Sequence, residues 1–526
     1  MSIQSTRICA AAGSVLVCCV AVLCSQPAPV VGRAARYCNP LPLETSSKDG
    51  TPQGVSLGDV TILREGGRYY LFGTGGGAWV SEDLLNWAHE PVEVHGGRLP
   101  VAPHVAKFNG AFYMSGNEAP LYRADDILGP YEVLGPWKNE KGEPWTGVSN
   151  GKPWQGAFDV DIFVDDDNTP YLYFPGRSTD GIYVVPLDPE NLTRFAAAPK
   201  HLFGFDSEHA WERWGERNEY LNIAWIEGPW VFKRNGVYYL EYSASGTQWM
   251  SYASGVYTAR NPLGPFTYSP RNPLLRQTTG IVTGPGHGCV IQAPDGNWWV
   301  FYTIVMSNPP GGRRLGMDPV GFDADGNMYV RSVSDTPQWA PGVVADPVRD
   351  GDSGSIPLTI NKMRAMNQSG SASSGRPGRD AAYAVDDTNG AWWEPAEDDA
   401  RPTLTVDLGS ITEFEDPQYF TVDSSRIEFT TGGRGLFGPR AAAPSPVTGS
   451  VAFRYKIEAS KDGSKFETIL DKTDNTVTRY TEFDELRPTV CRYVRLTITD
   501  WPHRANVPLG ILEFTVFGKA VESSSR

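Results

Sequence analysis

The stretch WIEGPWVFKRNGVYYLEYS, Trp225 to Ser243, decides how the chain is read. Trp230 and Phe232 alternate, Asn235-Gly236 supplies a two-residue turn, and Tyr238 to Tyr242 return, the pattern of a β-hairpin. A glutamate, Glu227, stands at the start of this apolar strand. Four further stretches have the same form: REGGRYYLFGTG ending at Gly75, KFNGAFYMSGN at Asn117, DDDNTPYLYFPG at Gly176 and APDGNWWVFYT at Thr303. Their first aromatic positions, with that of the opening hairpin, are Tyr69, Phe112, Tyr171, Tyr238 and Trp298, at intervals of 43, 59, 67 and 60 residues. That spacing suits a four-stranded sheet plus loops, one blade of a β-propeller. Long helical periodicity is absent, so the expected fold is all-β, with a five-bladed β-propeller over residues 38–345.

Counting back ten to twelve residues from each hairpin gives Asp59, Asp159, Glu227 and His287 in four units; the second unit has Val101 beside Ala102-Pro103-His104. In a propeller this is where each innermost strand begins, so three carboxylates and a histidine are expected to meet at one mouth of the axis. Buried carboxylates are costly, and such a cluster needs a chemical reason. Facing carboxyls are the machinery of glycoside hydrolysis, one protonated and one ionised. Glu227, flanked by Trp225, Ile226 and Trp230, is the better proton donor, because apolar surroundings raise a carboxyl pKa. Asp59, in less aromatic company, is the better base, and Asp159 the third carboxylate. Asp161, two residues on along the same strand face, competes with Asp159 for that role. Asp165 to Asp167 read as solvated turn residues. Trp154, Trp225 and Trp249 are candidate sugar platforms, with Trp230 a further one, and the charged segment from Gly204 to Tyr220 a candidate rim that brings Glu212 or Arg213.

Residues 55 to about 330 resemble glycoside hydrolase family 43, a five-bladed propeller family. GDVTILREGGRYYLFGT, FDVDIFVDDDNTPYLYF and IEGPWVFKRNGVYYLEYS carry the resemblance, and GPGHGCVIQAPDGNWWVFYT resembles its fifth-blade segment. The resemblance implies Asp59 as general base, Asp159 as pKa modulator, Glu227 as general acid, and inversion in a single displacement. It implies arabinofuranosyl, xylosyl or galactosyl side chains of polysaccharides or oligosaccharides as substrate. It requires no cofactor, and puts His287 at the axis near a water or a calcium ion. Two positions depart from the family pattern: Gly58-Asp59-Val60 stands where Ala-Asp-Pro is usual, and Asp159-Val160 where Asp-Pro is usual. A non-catalytic sugar-binding propeller is the alternative, though all three carboxylates are present. A retaining fructan hydrolase of the invertase type would carry Asn-Asp-Pro-Asn and Glu-Cys motifs, which the chain lacks.

Past Gly351 the composition turns small and polar, and residues 346–357 read as a linker. VDLG (Val406–Gly409), EASKDGSKF (Glu458–Phe466) and CRYVRLTI (Cys491–Ile498) then resemble the coagulation-factor type C, or discoidin-like, fold over residues 358–519. This galactose-binding-like β-sandwich also serves as a carbohydrate-binding module, with Trp392, Trp393 and the region around Phe437 as candidate contacts.

Composition bounds the rest. The chain has 526 residues and a net charge of −15, which argues against a nucleic-acid partner. Arg7 and the apolar run Ile8 to Leu23 read as a secretory signal over residues 1–28, with Cys24 a candidate site for a lipid anchor. The expected location is therefore secreted, periplasmic or cell-surface, with no membrane span beyond the signal. Beyond it only Cys38, Cys289 and Cys491 remain, so at most one disulfide can form within the chain and the fold must rest on its core.

Overall fold

The structure, a computed structural model, describes residues 36–46, 52–145, 147–149, 152–153, 158–306, 312–360, 372–409, 419–430, 448–503 and 508–521. The signal segment with Cys24, Trp154 and Phe437 lie outside the described residues. Five antiparallel sheets follow one another in sequence, each opening with its innermost strand. The first strands are Gly58–Glu65, Val101–Phe108, Asp161–Val164, Glu227–Arg234 and Gly286–Gln292. They touch one another in a closed ring, the fifth returning to the first, which makes the fold a five-bladed β-propeller. Blades one, two and five have four strands, and blades three and four add a fifth beside the third strand.

Local chemistry explains the hairpins. In blade four Asn235 and Gly236 have φ of 50° and 71°, the mirror-image turn that matches strand twist, and Arg234 pairs with Val237 across it. Asn109-Gly110 and Gly66-Gly67 repeat the device in blades two and one. The aromatic returns fill the spaces between blades: Tyr69, Trp79, Trp299 and Phe301 form one cluster, and Tyr173, Leu240 and Tyr242 another. The ring is closed by side chains and by the N-terminal segment. The Tyr69 hydroxyl of blade one donates to Gln292 O of blade five at 2.9 Å, and Asn39 exchanges two hydrogen bonds with the Met317 backbone.

A second, fivefold device lies at the start of the first strands. Asp59, Ala102, Asp159, Gly228 and His287 all have φ between 43° and 59°, in the left-handed region that side chains other than glycine's disfavour. Four of these residues donate their backbone N–H to a side chain at the end of the preceding blade's second strand. Asp59 bonds Thr303 Oγ1 at 2.8 Å, Ala102 bonds Thr74 Oγ1 at 2.8 Å, Asp159 bonds Asn117 Oδ1 at 2.7 Å and His287 bonds Ser243 Oγ at 2.6 Å. At the fifth junction the Gly228 N–H goes to the Asp159 carboxylate. The register is thus set by the left-handed residue, and Glu227 falls one place before it, level with Gly58, Val101, Phe158 and Gly286. The same bulge follows in blades one, two, four and five, between Gly58 and Thr61, Val101 and His104, Glu227 and Trp230, and Gly286 and Cys289, so this offset is common to these strands.

Two four-stranded antiparallel sheets form a sandwich after the propeller. One holds Ile356–Pro357, Ile511–Ala520, Phe420–Phe429 and Thr481–Cys491; the other holds Thr403–Asp407, Tyr493–His503, Thr448–Ser460 and Glu467–Lys472. Their inner faces share one apolar core, which contains Trp393. Residues 346–357 hold a short helix, Pro347–Asp350, and the strand Ile356–Pro357 that joins the sandwich. The sandwich meets the propeller through buried polar groups. Arg426 donates to Asn39 O and Asp335 O at 2.8 and 2.9 Å, and Arg314 pairs with Glu428 at 3.3 Å. Cys38, Cys289 and Cys491 are all buried and free.

Ser243→Ala would leave the buried His287 N–H without its partner, at an expected cost of about 1–3 kcal/mol. The urea midpoint should fall with an unchanged slope; an unmoved midpoint would mean the junction does not depend on this hydrogen bond.

Candidate active site

Three of the five left-handed residues carry ionisable side chains, and the bulge adds Glu227. All four groups are more than nine-tenths buried. His287 Nδ1 lies 3.3 Å from Asp59 Oδ1 and 3.7 Å from Asp159 Oδ2. Asp159, Glu227 and His287 bring one polar atom each within 4.8 Å of one another. The four residues that the sequence count singled out therefore share one site.

Their surroundings divide them. Asp59 is buried, which alone would raise its pKa. The Arg313 guanidinium, 2.5 Å from Oδ1, then His287, then the Thr74 hydroxyl at 2.6 Å from Oδ2 overcome that cost and hold the carboxyl at about 2. Among the described residues, no guanidinium stands beside Glu227. Burial, then repulsion from Asp159, push it up to about 8 against the attraction of His287 and one hydrogen bond from the Tyr252 hydroxyl at 2.6 Å. Asp159 lies between them at about 7, raised by burial and by Asp59, and lowered in part by Asn117 and the Gly228 N–H. At neutral pH Asp59 is therefore ionised, while Glu227 favours its protonated form.

Arg313, Thr74 and Tyr252 are the members that sequence reasoning missed. Their partners are remote in sequence or hidden in ordinary strand patterns. One local sign existed for Arg313, the glycine at position 58. A Cβ there would stand 2.6 Å from the Arg313 guanidinium carbon, so Gly58 makes room for the cation that holds Asp59.

Asp161 lies apart from this group. Its Oδ2 accepts from the Val231 N–H at 2.9 Å, and its Oδ1 lies 3.4 Å from His104 Nδ1. Burial raises Asp161 well above the usual carboxyl range and lowers His104 to about 4, so the two sit together as neutral groups. Asp165 is bound by Lys233 and the Tyr238 hydroxyl, while Asp166 and Asp167 are exposed turn residues. Trp225 is half-buried against Phe158, with ring centres 5.9 Å apart. Trp249 stands edge-on to Trp214 at 6.0 Å, and its indole N–H has no partner among the described residues. Trp230 fills space between blades and donates to Val290 O at 3.2 Å. On the rim segment, Glu212 is buried and bound by Tyr242 and His209, and Arg213 is bound to Ser207 O. In the sandwich, Trp392 lies 3.3 Å beneath the Arg379 guanidinium and donates to Glu394.

Residues 54–328, just over half of the chain, match the family described as Glycosyl hydrolases family 43. The chain belongs to that family. It is 29% identical over 249 residues to beta-D-galactofuranosidase xynD of Aspergillus niger, covering 43% of this chain and 64% of that protein. It is 26% identical over 299 residues to the non-reducing end alpha-L-arabinofuranosidase BoGH43B of Bacteroides ovatus, covering 51% of this chain and 50% of that protein. The chain spans less than two thirds of the length of these curated relatives. Among solved structures, a thermostable family-43 glycoside hydrolase aligns with a TM-score of 0.46 at 26% identity, over 58% of this chain and 99% of that one.

Carboxyl-carbon NMR checks the division of charge without any substrate. Glu227, assigned by its loss in Glu227→Gln, should titrate near pH 8, while Asp59 stays ionised down to about pH 2. A Glu227 midpoint near the ordinary 4.5 would overturn it.

Proposed function

We propose that this chain is a glycosidase that hydrolyses O-glycosyl bonds by single-displacement inversion. Glu227 is the general acid, Asp59 the general base and Asp159 the group that tunes the acid. The observation that carries the reading is the opposed proton affinity of two carboxyls around one buried histidine, Asp59 at about 2 and Glu227 at about 8. A sugar-binding site gains nothing from holding one acid ionised and its neighbour protonated, whereas glycoside hydrolysis needs both.

The steps follow from the groups. The Glu227 carboxylic acid donates its proton to the departing glycosidic oxygen. Asp59, kept ionised by Arg313, takes a proton from a water that attacks the anomeric carbon from the opposite face. One C–O bond breaks, one forms, and the configuration inverts. Asp159 keeps negative charge near Glu227, which raises the acid's hold on its proton until the leaving oxygen takes it. Trp225 and Trp249 serve as sugar contacts through their ring faces.

The residues present do not fit a calcium ion by themselves. Calcium takes six to eight oxygen ligands, whereas Asp159, Glu227 and His287 offer two carboxyl groups and one ring nitrogen. The proposed reaction needs no cofactor, and no step runs through an ion. The substrates proposed are arabinofuranosyl, xylosyl or galactosyl units on polysaccharides or oligosaccharides, in keeping with the names of the relatives. The sandwich is proposed as a discoidin-like module with a sugar-binding role, and the chain as secreted or held at the cell surface.

A panel of aryl arabinofuranosides, xylosides and galactosides tests the reading, with proton NMR following the first-formed anomer. The product should have the configuration opposite to the substrate. Glu227→Gln and Asp59→Asn should each lower kcat by about 100-fold or more, the upper part of the range for a general acid or base. A retained anomeric configuration, or near-normal turnover by Glu227→Gln, would reject it.

A further inference from the structure

The sandwich reaches the active site by two separate routes, both through blade five. The first runs through consecutive arginines at the start of the strand Arg313–Phe322. Arg313 faces the axis and holds Asp59. Arg314 faces the sandwich, where its guanidinium lies 3.3 Å from Glu428 and donates to Phe429 O at 3.4 Å. The same guanidinium donates to the Arg313 carbonyl at 3.2 Å. Arg314 and Glu428 are almost fully buried. The sandwich thus fixes the backbone from which the Asp59 partner projects.

The second route runs through Asn389, on the sandwich side of the boundary. Its side-chain amide donates to Ile281 O at 3.0 Å and to Thr283 Oγ1 at 2.8 Å. Thr283 in turn bonds both backbone groups of Val305, at 2.7 and 2.9 Å. Val305 ends the strand that carries Thr303, whose hydroxyl receives the Asp59 N–H and donates to His287 O at 3.2 Å. Thr283 also lies four residues ahead of His287 in the chain.

We propose that Glu428 and Asn389 are positioning residues of the active site, so that propeller and sandwich form one catalytic unit. This rests on the proposed hydrolase reading. A module that only tethered the enzyme to polysaccharide would bind through exposed loops and would not need a buried ion pair behind the residue that holds the base. Truncating Glu428 removes the buried oxygen acceptor that fixes the Arg314 guanidinium, and movement of Arg314 carries the Arg313 backbone with it.

The test uses the full chain and four substitutions. Glu428→Ala and Asn389→Ala remove the two anchors. Glu428→Gln keeps an oxygen acceptor for Arg314 and the side-chain shape. Asp423→Asn, which weakens the part-buried contact of the sandwich to Arg36 away from blade five, is the control. With folded proteins verified by near-ultraviolet circular dichroism, Glu428→Ala and Asn389→Ala should lower kcat by about tenfold or more, since small misplacement of a reacting group is costly. KM should stay within about twofold, because the rim tryptophans are untouched. Glu428→Gln should recover most of kcat, and Asp423→Asn should match the wild type. A second readout needs no substrate: the His287 ring resonances, assigned through His287→Asn, should move in Asn389→Ala at fixed pH and stay in place in Asp423→Asn. Wild-type kcat in both anchor variants, or unmoved His287 resonances, overturns the proposal. A wild type without glycosidase activity but with the resonance shift would sink the hydrolase reading and leave the coupling standing.

Discussion

The backbone N–H at the start of each innermost strand is the point on which this structure turns. Four L-residues, Asp59, Ala102, Asp159 and His287, are held in a left-handed conformation that costs on the order of 1–3 kcal/mol each. Such a conformation persists only where neighbours over-determine it. Here the neighbour is the preceding blade, whose Thr303, Thr74, Asn117 and Ser243 each receive one N–H. At each junction a hydrogen bond of this kind therefore helps to lock blade to blade and turns a side chain toward the axis. At the junction of blades three and four the receiver is the Asp159 carboxylate itself, so the same pattern that closes the ring also ties down a member of the site.

Given this frame, the chemistry follows from which buried carboxyl has a cation. Burial is the largest influence on all three and drives each toward its neutral form. Only Asp59 has enough opposition, from Arg313 and His287, to end below its ordinary value. For Glu227, His287 and the Tyr252 hydroxyl do not outweigh burial and an acidic neighbour, and it ends well above. The burial that lets Glu227 keep its proton would do the same to Asp59 without Arg313. Gly58 belongs to this solution, because a side chain there would occupy the place of the guanidinium.

The propeller was readable because its signal repeats. Five turn-plus-aromatic hairpins at blade spacing leave few other folds, and the acids at the blade starts, Asp59, Asp159 and Glu227 with His287, follow from counting back. Counting back gives ten residues for Asp59 and eleven for Glu227, and the structure keeps that offset: Glu227 is level with Gly58, and Asp59 with Gly228. Arg313, Thr74 and Tyr252 were not legible for a different reason. Each touches the site only because the ring brings distant strands together, and an arginine at the start of a strand carries no periodic mark. The departure at Gly58 was visible in sequence, but its meaning needed the position of Arg313. The sandwich was legible from its strand motifs, while its buried grip on blade five, through Glu428 and Asn389, was not, since single polar residues within strands and loops look like solvated ones.

The pH dependence of kcat/KM tests the central claim most directly. In the proposed reaction Asp59 must be ionised, and with its lowered pKa it limits activity only as pH falls toward about 2. Glu227 has a raised pKa and must be protonated, so activity should persist through neutrality and decline as pH rises through about 8. A profile whose alkaline limb lies near the ordinary carboxyl value, with activity already lost by about pH 6, would contradict the account.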